Sequence, residues 1–196
     1  RSGLDPMGKP IGTDFASFWT ASQLALEGRP ADAWDMVRHA AAQAARFGKD
    51  AGYAAFFYPP PYLLVCLPMA LLPYLASLVV WLGVTLAAWL HMARAWIAAS
   101  QAPSPGLLPL LAFPAVRVNL GHGQNGFLTA ALLGGGALLQ PARPLVAGVL
   151  FGALVIKPQF GLLLPVYLLF ARDWRCILAT SITALGLCLA SLAVFG

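Results

Sequence analysis

Polar and apolar positions divide this chain into a mixed head, residues 1–58, and a nearly unbroken apolar body, residues 59–196. Residues 74–96 form one run long enough to cross a bilayer, which takes about 20 apolar residues. It is bounded by Pro73 before it and by His91 and Arg94 near its end. The preceding run, residues 62–72, is short and fenced by Pro59, Pro60 and Pro61 on one side and Pro73 on the other. It reads as a re-entrant or half-depth helix, with a tilted full span as the alternative. Further apolar runs follow at 107–118, 125–139, 144–156, 158–171 and 176–195, divided by residues 121–125, 140–143, 157–158 and 172–175. Several are too short to span alone, so the pattern predicts interrupted helices that cohere, their freed backbone groups satisfied by neighbours. The expected fold class is all-α: a polytopic membrane helical bundle with short, interrupted helices.

The head carries its own punctuation. Thr13 or Asp14 can cap a helix running to Glu27, with Phe15, Phe18, Trp19 and Ser22 at helical spacing and Gly28 and Pro30 as stop signals. Residues 35–47 form a second amphipathic stretch, with Met36, Val37, Ala40 and Ala44 set against Arg38, Arg46 and Lys49. Both helices are expected to lie in the membrane interface. Tyr53, Phe56, Phe57, Tyr58 and Tyr62 cluster where the chain re-enters lipid, as an anchoring aromatic belt or as the wall of a substrate groove.

Composition sharpens this division. The chain is 60% hydrophobic and only 10% charged, where a soluble domain is nearer a quarter charged. Of its seven acidic residues only Asp173 lies beyond residue 50. The net charge of +5 comes from scattered cations without a basic stripe, which excludes a nucleic-acid partner. Cys66, Cys176 and Cys188 sit inside apolar runs and read as small buried hydrophobes. His39, His91 and His122 are too scattered to suggest a metal site. Gly134, Gly135 and Gly136 lie in an apolar run without a lysine, which points to close helix packing rather than a nucleotide loop. The polar start at Arg1, Ser2 and Gly3 and the apolar end at Gly196 read as the ends of a fragment. By the positive-inside rule, Arg94, Arg143, Arg172 and Arg175 share the cytoplasmic face. The head, residues 121–125 and Lys157 then share the opposite one.

Three kinds of residue could carry chemistry. Asp14, beside Phe15, Phe18 and Trp19, could take a proton from a hydroxyl acceptor, although by sequence alone a helix N-cap is the readier role. Arg117 and Lys157 are cations within apolar runs, expensive there unless they face a polar cavity, an anionic ligand or the interface. Each is followed by helix breakers or amides: Arg117 by Asn119 and the Gly121–His122–Gly123–Gln124–Asn125 turn, Lys157 by Pro158 and Gln159. Interrupted helices of this kind make anion sites, and a lipid phosphate is the obvious anion. His122 could act as a general acid or donate a hydrogen bond to such a phosphate, although a lone histidine in a turn is more often structural. Gln124 and Asn125 could bind sugar hydroxyls, and Tyr58 could stack on a sugar face.

The order of short motifs resembles a known family. Gly12-Thr13-Asp14-Phe15, Phe18-Trp19, Leu26-Glu27-Gly28-Arg29-Pro30 and Ala33-Trp34-Asp35 resemble the first exposed loop of GT-C glycosyltransferases, particularly glycosyltransferase family 87. The likeness continues through Phe57-Tyr58-Pro59-Pro60, Pro68, Leu72-Pro73, Gly123-Gln124-Asn125, Ile156-Lys157-Pro158 and Arg172-Asp173-Trp174-Arg175. It implies a GT-C-like inverting mannosyltransferase of a bacterial inner membrane. Such an enzyme uses a polyprenyl-phosphate sugar as donor, a glycolipid or glycan as acceptor and no cofactor or metal. The first loop is then extracytoplasmic, and Asp14 is the general base. The helices such an enzyme carries before the loop and after residue 196 are not in this sequence. A transporter or lipid flippase, which also uses interrupted helices around midplane cations, is the first competing reading. A noncatalytic membrane scaffold is the second.

Overall fold

The computed structural model describes residues 3–101, 103 and 106–196; Arg1 and Ser2, in the polar start, lie outside the described residues. Among those described, the chain is helical without a strand, and one isolated bridge pairs Leu4 with Pro10.

The head is built on α1 (Thr13–Leu26), which is cased in protein rather than laid along a surface. Phe15, Phe18, Ala21 and Leu24 are all buried, each large side chain contributing about 1.5–3 kcal/mol on leaving water. Its N-cap is neither Thr13 nor Asp14 but Gly12, whose left-handed φ of 77° lets the chain enter the helix tightly against Leu78. Asp14 is the second residue of the helix and its side chain is free for other work. A 3-10 turn (Pro30–Ala33) leads to α2 (Met36–Phe47), capped by Asp35 through the amides of Val37 and Arg38.

The buried stripe of α2 is His39, Ala42, Gln43 and Phe47, whereas Met36 and Val37 are exposed. This corrects the expected stripe. A polar side chain wins the interior because Gln43 exchanges two hydrogen bonds with the backbone of Ala54, at 2.6 and 3.0 Å. Asp32 braces the head through Arg29 (2.6 Å) and Arg38 (2.9 Å), and its contact with Arg38 foremost holds its carboxyl below the usual range.

His39 is enclosed by Tyr53 and Phe56. Burial first, then the charge of Arg46, lowers its pKa to about 4, against an opposing backbone group of Ser17. The unfolded chain takes up this proton near pH 6.5 and the folded chain only near 4. The head should therefore lose stability as pH falls from about 6.5 toward 4, by up to about 3 kcal/mol. Asp32 contributes below that window. Thermal melting of the full-length protein in micelles between pH 7.5 and 4.5 reads this directly. A slope that survives in His39→Gln would assign the effect elsewhere.

The body begins with α3 (Pro60–Cys66) and a 3-10 turn (Leu67–Leu71), together too short to cross a bilayer, so the tilted full span is excluded. Helix α4 (Tyr74–Ala99) is long enough. The run at 107–118 is broken at Pro114 into α5 (Leu107–Ala112) and α6 (Pro114–His122). There follow α7 (Gly126–Leu139), α8 (Pro144–Ala153) with a 3-10 turn (Leu154–Ile156), a further turn (Pro158–Phe160), α9 (Leu164–Ala171) and α10 (Trp174–Phe195).

Helices α4 and α7 both run away from the head, as the pairing of Trp81 with Gly123 and of Trp96 with Gly134 shows. Helices α8 and α10 return side by side, with Gly148 against Ala179 and Gly152 against Thr183. A Cβ at Gly136 would meet the Phe151 ring at 2.4 Å, which is the close packing expected of the glycine run. At the far end Asp173 caps α10 and accepts from Gln140, which in turn accepts from the Tyr167 hydroxyl.

Helix α10 leaves Leu178, Ile182, Leu185, Leu189 and Leu192 exposed along one stripe. A continuous apolar face of this extent suits lipid, not water. The protein is an all-α membrane protein. Cys66 and Cys176 are buried as expected, whereas Cys188 is exposed on this helix.

Candidate active site

The first turn of α1, the turn between α6 and α7 and the break after α8 meet at the head end of the bundle. Asp14 accepts a hydrogen bond from Gln124 Nε2. Lys157 stands between two 3-10 turns where Pro158 interrupts the helix, and its Nζ donates to Asn125 Oδ1 at 2.9 Å. The same ammonium lies 5.2 Å from the Phe160 ring and 5.9 Å from the Tyr58 ring, both within cation–π reach. A cavity of about 230 Å³ opens between Asp14, Phe18, Tyr58, Gln124, Lys157 and Gln159. A carboxylate and an ammonium thus face one small space.

The 121–125 turn is held from several sides. Asn119 Nδ2 donates to the Gln124 carbonyl at 3.2 Å, Trp81 Nε1 to the Gly123 carbonyl at 3.2 Å, and the Thr129 amide to the Asn125 carbonyl at 3.0 Å. Gly123 has a φ of +65°, and a Cβ there would lie 2.5 Å from Phe15 Cβ, an atom that cannot swing aside. Gly123→Ala should cost about 2 kcal/mol or more in stability. Gly121→Ala, where a Cβ meets nothing within 4 Å and the backbone is helical, should be neutral or mildly stabilising. Comparison of the two melting temperatures in micelles tests the assignment, and equal effects would refute it.

Tyr58 packs edge-on to Phe18 at 5.2 Å and against Tyr62 at 4.4 Å. Burial, followed by the Asp14 carboxylate, pushes its phenol up to about 12, so it stays protonated at neutral pH. With Phe56 and Tyr62 it belongs to the interior of the head, and only Tyr53 and Phe57 of the aromatic run are exposed as an anchoring belt would be.

Arg117 and His122 lie elsewhere. Both are exposed and line a separate groove of about 440 Å³, joined to the head by the 2.8 Å contact of His122 Nδ1 with Thr13 Oγ1. The cavity wall also includes Phe18, Ala55, Phe57 and Gln159, which are outside the sequence-derived candidates; Gln159 had a signal in its position two residues after the buried-run lysine.

A further groove, about 660 Å³, is mainly apolar: Trp34, Pro59, Pro60, Pro158, Leu192 and Phe195 are among its walls. Its walls include Pro59 and Pro158, the sequence neighbours of Tyr58 and Lys157 in the smaller cavity. Among the described residues, no three His, Cys, Asp or Glu side chains are grouped to hold a metal.

Searches of curated proteins and of solved structures return no significant match. The family model described as glycosyltransferase family 87 matches residues 56–196, which include Tyr58, Arg117, His122, Gln124, Asn125 and Lys157 and exclude Asp14.

Proposed function

Because the chain belongs to glycosyltransferase family 87 and is a membrane glycosyltransferase, we propose that the Asp14–Lys157 cavity is its transfer site, moving mannose from a polyprenyl phosphate to an acceptor hydroxyl. Asp14 takes the proton of the acceptor hydroxyl, whose oxygen attacks the anomeric carbon from the face opposite the phosphate. The carbon–oxygen bond to the phosphate breaks with its electron pair, and the configuration inverts. Lys157 stabilises the polyprenyl phosphate as its charge develops. Tyr58, only partly buried at the cavity wall, offers a ring face to the sugar.

The observation that carries this reading is the meeting of Asp14 and Lys157 across one cavity from distant parts of the chain. Its volume is below the roughly 300–1,000 Å³ of drug-sized sites, which suits one sugar ring or phosphate rather than a whole lipid. The apolar groove walled by Pro59 and Pro158 suits the isoprenoid chain. The head then faces the extracytoplasmic side of a bacterial inner membrane and meets a glycolipid or glycan acceptor there, with Arg94, Arg143, Arg172 and Arg175 on the cytoplasmic side. A lipid-phosphate donor needs no metal or cofactor in this scheme.

The deciding experiment gives membranes containing the full-length protein radiolabelled mannose on either polyprenyl phosphate or a nucleotide. Transfer from the lipid phosphate alone is expected. Transfer from the nucleotide alone would overturn the donor assignment, and transfer from neither, with several sugars tried, would overturn the catalytic reading.

A further inference from the structure

Gln124 and Asn125 are neighbours in sequence, yet their side chains engage the two opposite charges of the cavity. Gln124 donates to Asp14, and Asn125 accepts from Lys157 at 2.9 Å. Asn125 is fully buried, so its amide has little access to a sugar hydroxyl in the cavity. The dipeptide is itself fixed: Gly123 is wedged against Phe15, Asn119 and Trp81 hold the turn, and Asn125 starts α7, whose Thr129 returns a hydrogen bond to it. Two adjacent residues on a rigid turn therefore span the distance from carboxylate to ammonium.

We infer that Gln124 and Asn125 are positioning residues that set the spacing between the base and the phosphate-binding cation, Asn125 acting through Lys157 rather than by touching the sugar. The inference rests on the transfer-site reading above. Its physical basis is the flexibility of lysine: four rotatable bonds leave the ammonium free to wander or to fold back onto Asp14. An amide oxygen held at 2.9 Å anchors it without neutralising its charge, as a carboxylate would. Preorganised charge of this kind acts in the transition state without first having to be oriented.

Asn125 and Lys157 form a natural double-mutant cycle. The full-length protein in nanodiscs would be titrated with two probes, a sugar-free polyprenyl phosphate and the mannose-bearing form. A positioning role predicts that Asn125→Ala weakens both probes by the same factor, about tenfold, and adds nothing further in a Lys157→Met background. Gln124→Ala should lower the transfer rate about tenfold at unchanged affinity for either probe. If Asn125→Ala weakens only the mannose-bearing probe, or weakens it equally with and without Lys157, Asn125 touches the sugar and the inference falls.

Should Asn125→Ala not fold, the near-isosteric Asn125→Asp carries the test. Its carboxylate would pair with the ammonium and weaken the sugar-free probe as much as Lys157→Met does; unchanged binding would overturn the inference. Failure of the wild type to bind either probe would overturn the transfer-site reading together with it, an outcome distinct from each of the others.

Discussion

Asp14→Asn should reduce sugar transfer by about 10²–10⁴-fold, the range a positioned general base contributes, while binding of the lipid-phosphate donor is retained. The substitution removes the proton acceptor and little else. Asp14 does not cap α1, since Gly12 occupies that position, so the helix keeps its start. The amide is the same size as the carboxylate and can still meet Gln124. Removing a negative charge near Lys157 leaves the cavity more, not less, receptive to a phosphate. Tyr58 stays protonated at neutral pH, because its phenol is held up to about 12. Transfer from radiolabelled polyprenyl-phosphate mannose, measured at matched expression alongside donor binding, separates the outcomes. Undiminished transfer would sink the role of Asp14 and favour a structural head. Lost transfer together with lost donor binding would move Asp14 from base to ligand.

The division between head and body, the long helix over 74–96 and the break at Lys157–Pro158 were legible because each depends on local physics: the length of an apolar run, the prohibition on proline inside a helix and the cost of an unpaired charge. Which face a helix buries was less legible. In α2 the interior selected His39 and Gln43 over Met36 and Val37, because the backbone at Ala54 offered Gln43 two hydrogen bonds from eleven residues away. Hydropathy cannot register a partner that only folding supplies. The aromatic run was divided for a similar reason: Tyr58 and Tyr62 turn inward onto Phe18, Phe56 packs against both, and Phe57 turns out.

The site shows the same limit. Asp14, Tyr58, Gln124, Asn125 and Lys157 stood out by residue type and by neighbouring breakers, and the fold gathers them into one neighbourhood. Arg117 stood out by the same criteria yet lines another groove. On α6 the buried positions are Val116 and Asn119, three apart, so Arg117 and Val118 fall on the outer face by helical phase. Gln124 and Asn125 were identified as polar groups near the chemistry, but their partners lie 110 and 32 residues away in the chain, and no local pattern encodes such pairing.

That geometry makes the two cations unequal, and Lys157→Met should expose the difference. Lys157 is half-buried, lies over two aromatic rings and shares the cavity with Asp14, so a phosphate there meets a fixed charge in a partly dehydrated space. Charge stabilisation in such settings is worth roughly 10²–10³-fold in rate, as for an oxyanion-hole donor. Methionine keeps much of the lysine's length and apolar stem, so the packing against Phe160 and Tyr58 survives and the loss reports on charge. Arg117→Met, on an exposed groove outside the cavity, should cost less than tenfold. Donor titrations and single-turnover transfer with both variants decide the matter. A larger loss from Arg117→Met than from Lys157→Met would place the phosphate in the Arg117–His122 groove and overturn the cavity assignment. A loss at Lys157 confined to affinity, with the rate at saturating donor unchanged, would mean that the ammonium binds the phosphate equally in the ground and transition states and contributes nothing to the departure of the lipid.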